Sequence, residues 1–395
     1  MPRWLPLLLG FLTAVGPVST DMYLPAFPAI EAELGTSRGS VEITLASWFV
    51  GLAVGQLVQG TLADRLGRRL PLILGTALYT VASVGCALAP DMTSLAIWRC
   101  VAAFGGAASA VIPRAMVRDL ADGLAAAKLM SRLMLVMGAA PILAPTLGGL
   151  LLLGAGGWRT IFWVSAAYGG LSCLLAWTLL PETLPPSRRV RRSAVNLLRD
   201  FGRIGRERGF ITNGLMGAAT MFSVFAFISG APAVYIEHFG VRPDRFGLLF
   251  AVSATGFIAA SQFNPWLLRR FGPRRVPAHA LHVSGAAVVV LALAAFTGMG
   301  GLMGVFIPAV VALACTGVVF PNTAVGALSR HAARAGSASA LLGTLQFTCA
   351  AIGSALVGAL ADGTPRPMAV VMLLGAAGAI AAETLRPRHR ADGEA

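Results

Sequence analysis

The sequence predicts an all-α membrane protein of twelve transmembrane helices, arranged as two six-helix pseudo-symmetric halves with both termini cytoplasmic. Three observations predict it. Hydrophobic residues make up 56% of the 395 residues and charged residues only 12%, roughly half the charged share of a soluble domain. Apolar runs long enough to cross a bilayer recur along the whole length. The basic residues gather between alternate runs, the asymmetry that orients helical membrane proteins. In hydrocarbon each span must satisfy its own backbone polar groups, which makes helices the default.

The spans read, in order, 5–30, 41–62, 71–89, 93–116, 128–153, 158–180, 210–236, 245–268, 276–297, 301–328, 336–360 and 367–385. At about 1.5 Å per residue each crosses, or nearly crosses, a hydrocarbon core of about 30 Å. The run from Leu5 to Ile30, broken only by Asp21, is too long for a signal-peptide core and reads as an uncleaved first span. With the N-terminus inside, the inner segments hold 25 of the 31 Lys and Arg residues, and the outer segments hold Arg38, Arg159, Arg242, Arg245 and Arg366. Arg99 alone falls well inside a span. The net charge of +14 therefore belongs to a cytoplasmic face and its lipid head groups, not to nucleic acid.

The chain also repeats. "LADRLGRR" at 62–69 returns as "LLRRFGPRR" at 267–275, and "PETLPPSRR" from Pro181 returns as "AETLRPRHR" from Ala382. Two parallel halves follow, 1–180 and 210–395, the second with a short cytoplasmic tail; residues 181–209 form a cytoplasmic linker. Within it "AVNLLRDFGRIG" reads either as a short interfacial helix or as a solvated linker. The five cysteines lie in apolar runs without metal-ligand spacing and act as small hydrophobes. No metal or cofactor is expected.

The turn after the second span carries Gly60, Leu62, Ala63, Asp64, Arg65, Gly67, Arg68 and Arg69. It fits the pattern G-x-L-a-D-r-x-G-r-r in full, and with two six-span halves it resembles the major facilitator superfamily. Three stretches narrow the resemblance: "STDMYLPAFPAI" at 19–30, "WRCVAAFGGAASAVIPRAMVRDL" at 98–120 and "APTLGG" at 144–149. Together they are similar to the twelve-helix drug:proton antiporters of the bicyclomycin and chloramphenicol resistance type. Ala144 replaces the first glycine of the usual helix 5 pattern, a mild departure because Ala is also small. The specific motifs lie in the first half; the second half is similar by repeat and topology. The resemblance implies a secondary transporter that exports small hydrophobic drugs in exchange for protons by alternating access. It also implies a multi-pass protein of the bacterial inner membrane, working as a monomer.

Asp21 is the one acid the sequence places well inside a span of the first half. A carboxylate there costs about 2.5–3.5 kcal/mol on insertion scales, so it is a functional candidate by default. Arg99 lies at a similar depth below the outer surface, so the two are expected to face one another, the cation lowering the proton affinity of the acid. The resemblance links both to proton coupling; the plainer readings are an interfacial acid and a snorkelling arginine. Gly60, Asp64, Arg65, Gly67, Arg68 and Arg69 are expected to form a conformational switch, with Asp119 as the partner of Arg68. In helix 5, Pro141 and Pro145 kink the span, and Gly148 and Gly149 allow close helix contact; the resembling antiporters use this segment to control leak. Tyr23, Gln56, Gln59, Asn213, Phe225, Asn264, Asn322 and Gln346 are candidates for lining a substrate cavity, a few polar anchors among apolar groups.

A major-facilitator exporter or importer of a small metabolite, such as a sugar or amino acid, is the nearest alternative. Sugar symporters often carry several intramembrane acids and bases, and this set is sparse. An enzyme would need a richer catalytic cluster. No G-x-x-x-x-G-K-[ST] loop occurs, which argues against direct ATP coupling.

Overall fold

The computed structural model describes residues 4–120, 129, 140, 142–154, 156–189, 194–331 and 335–386, and every regular element among them is helical. The first apolar run is three helices in series: α1 (Leu5–Thr13), α2 (Val15–Asp21) and, after a 3-10 turn at Leu24–Ala26, α3 (Phe27–Leu34). Pro25 and Pro28 each sit in the first turn of a new element, where a missing N–H and a fixed φ are tolerated. The break after Asp21 is therefore written in the prolines that follow it.

Next come α4 (Ser40–Leu66), α5 (Arg69–Ala87) and α6 (Met92–Leu120). The expected fifth span is described as a helix from Ile142 to Leu151, here α7; residues 128, 130–139 and 141 of that expectation, Pro141 among them, lie outside the described residues. Then follow α8 (Arg159–Leu179), α9 (Ala194–Ile204) and α10 (Arg208–Pro232), which continues as a π-helical turn, Ala233–His238. Thus α9 resolves the linker alternative in favour of a helix. The eighth and ninth expected spans form one path, α11 (Pro243–Thr297), broken at Gly272, and α12 (Gly301–Leu328), α13 (Ala335–Ala359) and α14 (Arg366–Thr384) complete the fold. Among the described residues ten helical segments, α11 counted once, are long and apolar enough to cross a membrane.

The sequence repeat has a backbone counterpart. Gly67 (φ 99°, ψ 173°) and Gly272 (φ 82°, ψ 159°) adopt nearly the same conformation, one that costs residues with a Cβ but not glycine. Each separates two long helices at the arginine-rich end of the bundle.

Small residues set the helix spacing. Gly51 and Gly55 of α4 lie against the α6 backbone at Cys100 and Phe104, and Gly75 of α5 lies against Gly105 and Ala108 of α6. A side chain at any of these would push the backbones apart. Toward the arginine-poor end one apolar core runs through both halves of the chain, from Val15, Tyr23 and Trp48 to Phe227, Phe306 and Met372. Toward the arginine-rich end the buried apolar residues divide. One cluster holds Leu5, Ala63, Met116 and Leu180; a second holds Ile204, Phe210 and Leu342; a third holds Met216, Leu281 and Val319.

Candidate functional site

At the arginine-rich end, the turn between α4 and α5 is tied together by charge. Arg68 donates from Nε to Asp119 Oδ2 of α6 at 2.8 Å and from Nη1 to Asp64 Oδ1 of α4 at 2.6 Å. The first of these is the partner expected from the sequence. Burial alone would lower the proton affinity of Arg68, yet Asp119 and Asp64 hold its guanidinium above the usual arginine range. Thr183 adds a hydroxyl bond to the same Asp119 oxygen at 3.1 Å.

Sequence reasoning used Glu182 only as a marker of the repeat. In the fold its carboxylate accepts from the backbone N–H of Arg68 at 2.8 Å, of Arg69 at 3.3 Å and of Leu184 at 2.9 Å. It thus caps the N-terminus of α5, where an anion also meets the positive end of the helix dipole. Glycine is required there by conformation, and a Cβ on Gly67 would also push the Glu182 carboxylate out of its capping position. The signature turn is thereby clamped to α6 and to the segment after α8.

Deeper in the bundle, Arg99 of α6 is only 2% exposed. Its guanidinium carbon lies 4.0 Å from the Tyr23 ring centroid and 4.6 Å from that of Trp48, with Phe162 at 5.9 Å. Such stacking is worth about 2 kcal/mol or more when desolvated. Nη1 donates to the Ser19 carbonyl at 2.7 Å, while Nε and Nη2 have no hydrogen-bond partner among the described residues. Arg99 is thus a caged cation with unused donors, not an arginine reaching for solvent.

Asp21 is 6% exposed, and the hydrogen bond to its carboxylate comes from Thr20 Oγ1 at 2.9 Å. The expected facing pair is therefore corrected in detail: Arg99 reaches the first run at the depth inferred, but grips the Ser19 backbone, and no ion pair joins it to Asp21 among the described residues. The reason is helical geometry. Ser19 turns its hydroxyl to Tyr79 at 2.6 Å, and two residues further is a rotation of about 200°, which carries Asp21 to another side of α2.

The early and late helices meet along a seam that runs from the arginine-poor end to the middle of α4 and α13. Phe49 of α4 packs on Phe225 of α10 with centroids 4.2 Å apart and on Phe347 of α13 at 6.1 Å. Thr344 of α13 donates to the Ala53 carbonyl of α4 at 3.4 Å, and Gln56 of α4 lies against Gly343 of α13. The helix 5 motif joins this seam. A Cβ on Gly148 would overlap the Met22 carbonyl oxygen, and one on Gly149 would stand 2.5 Å from that of Pro243.

The cavity candidates are not brought to one place. Tyr23 lies under Arg99, and Gln56 and Phe225 meet at the α4 seam. Gln59 donates to the Phe104 carbonyl at 3.4 Å, Asn322 donates to Asn264 Oδ1 at 2.8 Å, Asn213 donates to the Gly209 carbonyl at 2.8 Å, and Gln346 lies against Gly217 and Thr323. The Asn213 bond lies within α10, and the other three contacts hold neighbouring helices together in the conformation seen.

Burial also reaches charges that lie at span ends. Glu42 is 2% and Glu31 8% exposed. Arg114, near the inner end of the span that holds Arg99, Met92–Val117, has a buried Nε without a hydrogen-bond partner among the described residues. Both acids sit next to span boundaries, where a sequence reading assigns charges to the interface. Their burial comes from α13 and the π-helical turn, which pack over them from far along the chain.

Comparison with known proteins agrees with this architecture. A sequence profile described as the Major Facilitator Superfamily matches residues 9–354. An uncharacterized MFS-type transporter, YdgK of Bacillus subtilis, is 35% identical over 374 residues, covering 94% of this chain and 92% of its own. A bicyclomycin resistance protein homolog of Haemophilus influenzae is 30% identical, covering 93% and 92%, and the multidrug resistance protein MdtL of Escherichia coli is 29% identical, covering 85% and 83%. Among solved structures, a partially occluded inward-open xylose transporter, XylE of E. coli, superposes with a TM-score of 0.72 at 15% identity over 95% of each chain.

Proposed function

The chain belongs to the major facilitator superfamily as a multi-pass membrane transporter, and from that premise we propose that it exports small hydrophobic drugs in exchange for protons across a bacterial inner membrane. The observation that carries this reading is the presence of a buried carboxylate, Asp21, two residues along the chain from the Ser19 carbonyl that the caged guanidinium of Arg99 grips. Two relatives named for drug resistance support it over more than four-fifths of their length.

In this reading the twelve spans form two six-helix halves, 1–180 and 210–395, joined by the 181–209 linker. The arginine-rich end faces the cytoplasm with both termini. The seam at the opposite end then closes the outer side, and the divided packing at the arginine-rich end suits an inward-facing state. Asp21 takes up and releases the proton. Arg99 senses it through the backbone of α2, which it grips at the Ser19 carbonyl two residues before Asp21, instead of through an ion pair. Its free Nε and Nη2 give the site somewhere to place an acceptor from substrate or from a rearranged Asp21. Tyr23, Phe225 and Gln56 line the path of a lipophilic substrate, with Gln59, Asn213, Asn264, Asn322 and Gln346 joining it when the helices move. Asp64, Arg65, Arg68, Arg69, Asp119, Gly60 and Gly67 act as the inner latch, and Pro141, Pro145, Gly148 and Gly149 shape helix 5 at the seam. No cofactor takes part, and the working unit is the monomer.

Everted vesicles with an imposed pH gradient test this. Drugs from a panel accumulate, and dissipate the gradient, only when Asp21 is intact. If Asp21→Asn pumps uphill as well as the parent, the coupling role is wrong. If sugars or amino acids move and drugs do not, the metabolite alternative replaces the drug reading.

A further inference from the structure

Three carboxylates converge at the arginine-poor end of the seam. Glu31 of α3 lies beside the N-terminus of α4 and accepts from the Val41 N–H at 3.2 Å. Glu42, one residue further along α4, is 2% exposed, and its Oε2 has no hydrogen-bond partner among the described residues. Glu237 of the π-helical turn sits within electrostatic reach of both. The backbones of α4 and α13 touch here: Gly358 could not carry a Cβ without overlapping the Gly39 carbonyl and meeting Glu42 Cβ at 2.9 Å, and Ser354 Oγ donates to the Glu42 carbonyl at 3.3 Å.

The other charged groups around Glu42 do not neutralise it. Arg38 is two-thirds exposed and pairs with Glu237 at 3.7 Å. His238 turns its Nδ1 to the Gly363 carbonyl at 3.1 Å. Glu33 is engaged by Arg159 and by Trp158. Tyr23 joins its hydroxyl to Thr44 Oγ1 at 3.2 Å and lies between Glu42 and Arg99. From α13 come only Ser354, glycines and aliphatic residues over 350–359.

Two acids thus compete for one helix N-terminus. Glu31 holds the backbone donor, and Glu42 is left with like charges on two sides and no donor for Oε2. A buried carboxylate in that position is stable only as the neutral acid. Parting α4 from α13 would admit water and let it ionise.

We propose that Glu42 is a second protonation site, separate from Asp21, at which a proton holds the arginine-poor end of the seam closed and loss of the proton opens it. Glu31 and Glu237 set the charge against which that proton is held. By linkage, acid favours the closed seam and alkali the open one. The inference rests on reading α4 and α13 as a seam that parts during transport. Its test uses neither drug nor gradient, so it fails separately from the drug-export reading, which the vesicle assay decides.

The test is alkylation of Ser354→Cys by a bulky maleimide in purified full-length protein, with Cys86, Cys100, Cys173, Cys315 and Cys349 replaced by Ala. Rates are taken relative to an exposed Thr297→Cys reference, which cancels the pH dependence of the thiol. With Glu42 present, relative labelling rises with pH, approaching about tenfold per unit, the limit for one linked proton. Glu42→Gln stays low at every pH, and Glu237→Gln moves the rise to lower pH by removing a like charge. A rise that persists unchanged in Glu42→Gln, or a flat profile with Glu42 present, overturns the proposal.

Discussion

Arg99 shows how one side chain can serve packing and function together. Its guanidinium fills a box of Tyr23, Trp48 and Phe162, and one of its donors ties α6 to the chain break beside Asp21. Lysine keeps the charge but not the flat stacking face or the fork of donors. Arg99→Ala is therefore expected to abolish uphill transport while some drug binding remains, and Arg99→Lys to restore less than half of the transport; equilibrium drug binding and vesicle uptake separate the two effects. Unchanged uphill transport in the alanine variant would remove Arg99 from coupling. Gly67 has a different constraint. Its φ of 99° disfavours any residue with a Cβ, and a Cβ there would displace the Glu182 carboxylate from its cap. Gly67→Ala is expected to destabilise by about 1–2 kcal/mol from conformation alone, seen as a lower apparent melting temperature in detergent, whereas Gly170→Ala, whose Cβ would meet only an ordinary contact at 3.8 Å, leaves it unchanged.

Among the elements, α7 and α4 carry the closing surfaces. Gly148 approaches the Met22 carbonyl so closely that any side chain there forces α7 away from the end of α2. Gly148→Val is expected to yield folded protein with the arginine-poor end held apart, losing uphill transport more than tenfold and exposing Ser354→Cys to maleimide at acid pH. If Gly148→Val transports normally, the glycine serves packing alone. The sequence made the helices and the signature turn legible because both are local properties, apolar length and a run of glycine and charge. It also named Asp119 for Arg68, since residues at the inner ends of successive spans must lie near one another. The cap on α5 by Glu182 and the burial of Glu42 were not legible. Each depends on a neighbour more than a hundred residues away, and no periodicity within α4 or α5 encodes which distant segment will cover its end. The Asp21–Arg99 relation was legible in depth but not in azimuth, because the proline-broken run resets the helical phase that a depth count assumes.

For the whole molecule, charge and packing point the same way. The segments read as inner carry 25 of the 31 basic residues, and under the proposed function this arginine-rich end faces the cytoplasm, by the positive-inside bias. One apolar core spans both halves at the opposite end, and the core divides toward the arginine-rich end. A transporter closed outside and parted inside has this distribution, because the closed side must exclude water from the seam while the open side must admit it. The orientation is open to a direct check. Ser37→Cys, exposed before α4, and Ser187→Cys, exposed in the linker, are placed singly in the cysteine-free background. In intact cells an impermeant maleimide is expected to label Ser37→Cys, and to label Ser187→Cys only after permeabilisation. In everted vesicles the order reverses. Labelling of both from one side would mean that the chain crosses the membrane an even number of times between residues 37 and 187, and the six-span first half, with the inward-facing assignment built on it, would fall.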